Sequence, residues 1–369
     1  MLQFCLKFFI TSIYLFTFYC RGATSTLKHP VSIQVQPTYT FESPRWPTDN
    51  KAFEQGLPLS HYIQATASGK PESGTFGCIR NNGHKFHEGI DVKSIKRTLK
   101  QAPLDSVYAV LSGQIVYINN KPGRSNYGNY IVLKHREPGL KFYTLYAHLA
   151  SVSNTLKLNQ FVNKGTLLGT MGNTSNFKIP MHLAHLHFEI GLRLGSNASF
   201  LKWYQLQKFG TPNYHGAWNG LNLAGLDPLA FYRSGKSFLQ FLKEQSIAFE
   251  CSIATSKIPE FIRQNRSLLL NPIDNKKTLQ GWQIAFNWLG IPLKWTPLYQ
   301  ALKEKISIHY VNRKEFIKNG NRNTLEWDKK DNLFIGKVLQ RQLFLLFEEN
   351  FTLNILQKSC NRPPAKVGG

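Results

Sequence analysis

The segment Ala184-His185-Leu186-His187-Phe188-Glu189-Ile190 constrains the fold of this chain more than any other. On a strand, successive side chains point to opposite faces. His185, His187 and Glu189 then share one face, and Leu186, Phe188 and Ile190 the other. The second row is wholly apolar, which makes it the core side. The first row holds two imidazoles about 7 Å apart, from a rise of about 3.3 Å per residue. Such a pair is either two ordinary surface histidines, a metal-binding pair, or a ligand with a general base beside it. What else the chain supplies decides among these.

Short alternating runs at 107–110, 114–118, 130–133, 142–146, 166–168 and 186–190 lie between Gly and Asn turns, with almost no helical period. That pattern describes an antiparallel β domain. The interval 92–105, with Lys93, Lys96, Arg97 and Lys100, reads as a basic surface loop. Within the same region, His87-Glu-Gly-Ile-Asp91 sets an imidazole and a carboxylate four residues apart. Gly89 and the strand-like residues after it favour a turn into a strand over a helix. Tyr146-Ala147-His148-Leu149 ends another strand with a further histidine. Either motif alone is common by chance, but together with His185 and His187 they point to a metal site. Two His and one Asp would leave a fourth tetrahedral position for water, and zinc lowers the pKa of such a water towards neutrality.

Charge and termini narrow the setting. Hydrophobic content of 42% against 18% charged residues excludes wholesale disorder. The formal net charge of +24 calls for an anionic partner: nucleic acid, anionic lipid or acidic wall polymer. No zinc-finger spacing or RNA-binding signature accompanies the charge, so nucleic acid is not expected. Lys7 precedes an apolar run at 8–19, too short to span a bilayer, and small residues follow at Gly22, Ala23 and Ser25. That is the layout of a secretory signal. The protein is therefore expected in the periplasm or cell envelope, or released from the cell. Cys78, Cys251 and Cys360 follow the signal without C-x-x-C spacing; one bridge can form among them, and Cys251–Cys360 is the candidate pair. The expected organisation is a signal at 1–25, an extended segment at 26–70, a β domain at 71–235 and an accessory α+β domain at 236–369.

His87-x-x-x-Asp91, Tyr146-Ala-His148-Leu and His185-Leu-His187-Phe-Glu189 together resemble the signature set of the lysostaphin-type, LytM-like zinc endopeptidases of bacterial cell walls. Phe86-His-Glu-Gly-Ile-Asp91, Tyr127-Gly-Asn-Tyr130 and Tyr143-Thr-Leu-Tyr-Ala-His148 agree with it, over about residues 75–195 in the expected order. The resemblance implies a mainly β fold: an antiparallel β-sheet peptidase domain with an active-site groove, beside the small C-terminal α+β domain. It implies His87, Asp91 and His187 as ligands of one Zn2+ per chain, and His148 and His185 as catalytic histidines. Tyr143 and Asn129 are candidates for binding substrate in the groove, although a tyrosine on an alternating strand is more often partly buried structure. Glu189 either holds a ligand histidine by a hydrogen bond or faces solvent. The implied activity is an exported zinc endopeptidase, a monomer, that hydrolyses peptide cross-links of peptidoglycan. Its basic surface would hold an anionic wall polymer. The alternative is a non-catalytic wall binder or activator of another hydrolase, and the intact set of five positions favours the enzyme.

The chain departs from that pattern in the bulky turn at 172–184, which adds His182, and in the long basic loop after Asp91. His215 is a further groove candidate, with a structural role the better reading. In the C-terminal region, 281–295 reads as a hairpin with an aromatic face, 258–269 as a helix and 343–348 as a strand. The aromatic face either binds wall glycan or is plain core.

Overall fold

The computed structural model describes residues 41–80, 85–320 and 322–351. The expected signal segment and Cys360 lie outside them, while Cys251 is fully buried. The N-terminal part of the described chain runs β1 (Gly77–Arg80), β2 (Lys85–His87), β3 (Ile90–Lys93), β4 (Ser106–Tyr108), β5 (Gly113–Asn119) and β6 (Asn129–Glu137). It continues with β7 (Leu140–Val152), β8 (Phe161–Val162), β9 (Leu167–Met171), β10 (His185–Arg193), α1 (Asn197–Leu206) and β11 (Leu223–Leu226). Each expected run holds a strand, the one at 107–110 ending at Tyr108, and the main sheet follows the order β11-β10-β7-β6-β5-β8 with antiparallel pairing.

β10 is the centre of that sheet. One of its edges takes β3 and then β11, and the other takes β7. Leu186, Phe188, Ile190 and Leu192 are fully buried on the core side, as the alternation requires. The opposite face is closed as well, because the turn at 126–128 and the tyrosines of β6 and β7 cover it: Glu189 is 1% exposed and His187 5%. β7 is long enough to serve two partners. It pairs with β10 as far as Ala147 and with β9 from Leu149 onwards. His148 sits at the changeover, in the left-handed region at φ 59°. A non-glycine residue there re-aims its side chain out of the strand's alternation.

The rest comprises α2 (Pro228–Ser234), α3 (Phe238–Lys243), β12 (Phe249–Ala254), α4 (Glu260–Gln264), β13 (Gly281–Phe286) and β14 (Pro292–Leu298). After these come β15 (Ile306–Val311), α5 (Arg313–Asn319), β16 (Leu325–Trp327), β17 (Leu333–Ile335) and α6 (Lys337–Phe347). A second antiparallel sheet has the order β14-β13-β12-β15. The hairpin expected at 281–295 is β13 and β14, but Trp282, Phe286 and Trp295 are fully buried, so its aromatic face is core. The expected helix at 258–269 is only α4 and one following turn. The strand expected at 343–348 is the C-terminal half of α6. Leu339, Leu343, Leu346 and Phe347 recur at helical spacing, and Glu348 ends the helix at φ 60°. A short apolar run reads the same way in a buried helix as in a buried strand.

One hydrophobic cluster runs through residues from both sheets, from Trp46 to Phe351. Glu137 at the end of β6 accepts the backbone N–H groups of Phe238 and Leu239, each at 2.8 Å. Phe142 stacks on Phe238 with ring centroids 4.3 Å apart. The segment after α5 reaches the β1–β2 hairpin: Arg322 lies 3.8 Å over the Phe86 ring. Among the described residues, no helix is long and apolar enough to cross a membrane.

Candidate metal centre

His187 and Asp91 face each other as a cross-strand pair of β10 and β3, and His87 ends β2 just before the turn into β3. Gly89 makes that turn possible, since a Cβ there would stand 2.2 Å from the carbonyl of Phe188. Three atoms converge: His87 Nε2 lies 3.0 Å from His187 Nδ1 and 3.1 Å from Asp91 Oδ1, and His187 Nδ1 lies 3.2 Å from Asp91 Oδ1. Bonds of about 2.0–2.1 Å to a tetrahedral ion set ligand atoms roughly 3.3 Å apart, so the spacing is close to that of a zinc edge.

The hydrogen bonds behind these atoms fix which nitrogen carries a proton. His87 Nδ1 donates to the Thr75 carbonyl at 2.7 Å, which leaves Nε2 as a lone pair. His187 Nε2 donates to Glu189 Oε1 at 2.9 Å, which leaves Nδ1 bare. Glu189 in turn accepts from the Tyr127 hydroxyl at 2.6 Å and the Tyr143 hydroxyl at 2.7 Å. Two imidazole lone pairs and a carboxylate oxygen therefore point at one spot, and such a set repels itself unless a cation or proton stands between. Burial works against the charged imidazole, but the hydrogen bonds to Asp91 and Glu189 win and raise His187 to about 9. Burial also opposes the Asp91 carboxylate, yet the charges of His87 and His185 and the bonded imidazoles hold it well below the usual range. The donor set fits a divalent zinc ion.

Asp91 uses its other oxygen elsewhere. Thr66 Oγ1 donates to Oδ2 at 2.8 Å, and the Arg80 guanidinium is hydrogen-bonded to the same oxygen. Arg80 is itself anchored by the Ser73 carbonyl at 2.9 Å, and its Nη2 reaches within 3.1 Å of His87 Nε2. Neither Thr66 nor Arg80 was singled out from sequence. They join the site through the isolated pairing of Ile63 with Val92 and the β1–β2 hairpin, which no local pattern announces.

His185 and His148 stand on the open side of the ligand set. Their rings are 4.9 Å apart, and His185 Nε2 is 3.4 Å from Asp91 Oδ1. His185 Nδ1 donates to the Leu183 carbonyl at 2.7 Å, and His148 Nδ1 donates to the Thr174 carbonyl at 2.8 Å. Both histidines thus keep an unprotonated Nε2. Burial, followed by the neighbouring imidazoles, holds His148 well below its ordinary value, and burial also lowers His185. The turn that carries Thr174 packs against Gly128, at φ 61°, where a Cβ would meet the Thr174 carbonyl at 2.1 Å. Arg97, from the basic loop, clamps the turn before His185 by donating to the carbonyls of Met181 and Ala184 at 3.0 and 2.7 Å.

A cleft of about 400 Å³ opens over these groups, lined among others by Tyr127, Asn126, Phe177 and Ile179. Tyr143 and Asn129, expected in the groove, do not line it. Tyr143 is 1% exposed, because its hydroxyl serves Glu189 beneath the ligands. Asn129 is buried, with its amide nitrogen on the Leu149 and Ala150 carbonyls. Glu189 faces no solvent and takes the hydrogen-bonding role. His215 has its structural role, between the Tyr117 hydroxyl and the Arg124 carbonyl at 2.8 Å each.

Residues 85–198 match peptidase family M23. No curated protein matches the chain. Similar solved structures include a zinc-containing peptidase from Vibrio cholerae, at 23% identity over 40% of this chain and 36% of that one, with a TM-score of 0.27. Another is the catalytic domain of the antimicrobial peptidase lysostaphin from Staphylococcus simulans, at 22% identity over 47% of this chain and 95% of that one, with a TM-score of 0.28. The chain thus spans only about a third of the length of the Vibrio protein.

Proposed function

We propose that this chain, which carries a peptidase family M23 domain at residues 85–198, is an exported zinc endopeptidase that cuts peptide cross-links of bacterial peptidoglycan. The observation that carries the reading is the convergence of His87 Nε2, Asp91 Oδ1 and His187 Nδ1 within 3.0–3.2 Å, with the bare nitrogens of His185 and His148 beside them. A set of ligands without neighbouring bases would suit a structural ion or a binding protein. Two bases at the open side suit hydrolysis.

Zinc held by His87, Asp91 and His187 would supply Lewis acidity and a water of lowered pKa. The chain's own residues do the rest. His185 presents Nε2 as an acceptor because its Nδ1 proton is committed to Leu183, so it can take a proton from the attacking water. His148 is likewise an acceptor at rest, and it can donate to an oxyanion or a leaving amine only after gaining a proton. Proton traffic between these two nitrogens, with rings 4.9 Å apart, links attack on the carbonyl to departure of the amine. The bulk of Phe177 and Ile179 along the cleft narrows what can lie beside the scissile bond.

The protein would act on the wall side of the membrane as a monomer, and its net charge of +24 would hold it to anionic wall polymer. The test is digestion of purified peptidoglycan by the zinc-loaded protein, with the released peptides identified by mass. His87→Ala, Asp91→Ala and His187→Ala should lose zinc and activity together. His148→Ala and His185→Ala should keep about one zinc per chain and lose roughly 10²- to 10³-fold in rate. Full activity and full zinc in His187→Ala would overturn the assignment. Binding to whole sacculi should weaken with salt far more than cleavage of a small soluble peptide does.

A further inference from the structure

Beside the metal cleft lies a second cavity, of about 560 Å³, walled partly by the C-terminal region. The two share Phe86, Glu88, Asn126 and Tyr127, so they lie side by side along one wall. Among the described residues, three arginines line the second cavity, Arg124, Arg322 and Arg341, against one carboxylate, Glu88. Arg124 is exposed on the rim, with its guanidinium over the Tyr214 ring. The other two are held deeper. The Arg322 side chain is 9% exposed, lies over the Phe86 ring, and meets Glu88 only at 4.0 Å. Among the described residues, its Nη1 and the Nε of Arg341 are buried without a hydrogen-bond partner.

Two neighbouring guanidiniums on one cavity wall, each with a buried N–H unsatisfied and with one distant counter-charge between them, are costly to hold. Burial, followed by the charge of Arg322, lowers Arg341 to about 10. Each of these features is relieved by an anion placed between the two forks. The guanidinium geometry matches a carboxylate, which accepts two parallel N–H bonds. We propose that Arg322 and Arg341 form a subsite, supplied by the C-terminal region, that binds a free carboxylate of the peptide substrate next to the metal centre. The proposal rests on the endopeptidase reading, and it gives the residues beyond the peptidase domain a part in choosing the substrate.

The test uses the full chain, zinc-loaded, and two synthetic cross-linked peptides. One carries free carboxylates, and in the other each is a carboxamide. Wild type should favour the acid by about 10- to 100-fold in kcat/KM, as for a buried charge pair, mostly through KM. Arg341→Gln and Arg322→Gln should each bring that ratio down towards one, with zinc content and melting temperature near wild type. Arg341→Lys should restore part of it, and this variant carries the test if a glutamine variant fails to fold. Equal kcat/KM for acid and amide in wild type, or equal loss on both in the variants, would overturn the subsite. If wild type cuts neither peptide, the endopeptidase reading fails, and titration calorimetry with the same two peptides decides the subsite by itself. Tighter binding of the acid that Arg341→Gln abolishes supports it, and equal binding of acid and amide refutes it.

Discussion

Replacing Glu189 by glutamine keeps the outline of the side chain but removes its charge and one acceptor. Glu189 takes three donors: the Tyr127 hydroxyl at 2.6 Å and His187 Nε2 at 2.9 Å on Oε1, and the Tyr143 hydroxyl at 2.7 Å on Oε2. A glutamine offers one oxygen and an NH2 that must donate. With the nitrogen in the place of Oε2, Tyr143 has only to turn its hydroxyl, and His187 keeps a neutral, weaker acceptor. With the nitrogen in the place of Oε1, it meets the Nε2 proton of His187 and drives the imidazole to the other tautomer. That tautomer carries its proton on Nδ1, the ligand atom. Hydrogen bonds to charged groups contribute about 1.5–3 kcal/mol against about 0.5–1.5 for neutral ones. The first orientation therefore costs about 1 kcal/mol for each of the two bonds on Oε1, about 2 kcal/mol together, and is the one adopted. Partners behind a ligand typically govern about 10- to 100-fold in metal affinity, or about 1.4–2.7 kcal/mol. Glu189→Gln should fall in that range for zinc. Glu189→Ala leaves three buried donors without an acceptor, at about 1–3 kcal/mol each, and should cost about 3 kcal/mol or more in the stability of the metal-free protein. Zinc competition with a chromophoric chelator and denaturant melts measure the two effects. Zinc held as tightly by Glu189→Gln as by wild type, with Glu189→Ala as stable as wild type, would refute the reasoning.

Arg80→Met removes the cation from the outer oxygen of the fully buried Asp91, a loss of about 3–5 kcal/mol for a broken buried pair. Zinc supplies part of the missing charge, so denaturant melts should show a larger loss without metal than with it, and equal losses would contradict this. Burial lowers His135 to about 4 in the folded protein, against an ordinary value of 6.5. The unfolded chain then binds a proton that the folded one refuses, so this contribution to stability is complete above pH 6.5 and falls as the pH drops towards 4. The loss should reach about 3 kcal/mol, from 2.5 units at about 1.36 kcal/mol each, and His135→Gln should flatten that slope in melts taken between pH 7 and 4.5. Gly128→Ala pushes on the Thr174 carbonyl that holds His148, so zinc content should stay near one per chain while hydrolysis falls at least about 10-fold. Loss of zinc in that variant would show that the turn supports the ligands and not the base.

Period-two alternation is a property of the local chain, and it carries far in this protein. It placed Leu186, Phe188 and Ile190 in the core and His185, His187 and Glu189 together opposite them, because a strand allows no other arrangement of successive side chains. The motif at His87 and Asp91 was legible for a similar reason, since Gly89 permits the turn that brings both to one place. Alternation says nothing about what covers a face, and the histidine side of β10 is closed by Tyr127 and Tyr143 through pairings with β6 and β7. Hence Tyr143 reads as a groove residue in one dimension and proves to be buried under Glu189. The carbonyls that set the tautomers of His87, His185 and His148, from Thr75, Leu183 and Thr174, are likewise spread over 108 residues and joined by backbone that has no side-chain signature. Arg80 and Thr66 reach Asp91 by the same kind of long-range contact. In the C-terminal region the run at 343–347 was ambiguous because burial on all sides erases the polar positions that distinguish helix from strand. Only the packing of α6 between the two sheets' cluster and the cavity at Arg341 decided it. What the sequence determined are the chemistries present and their local faces; which groups meet, and which are sealed from water, depended on strand register and on loops distant in the chain.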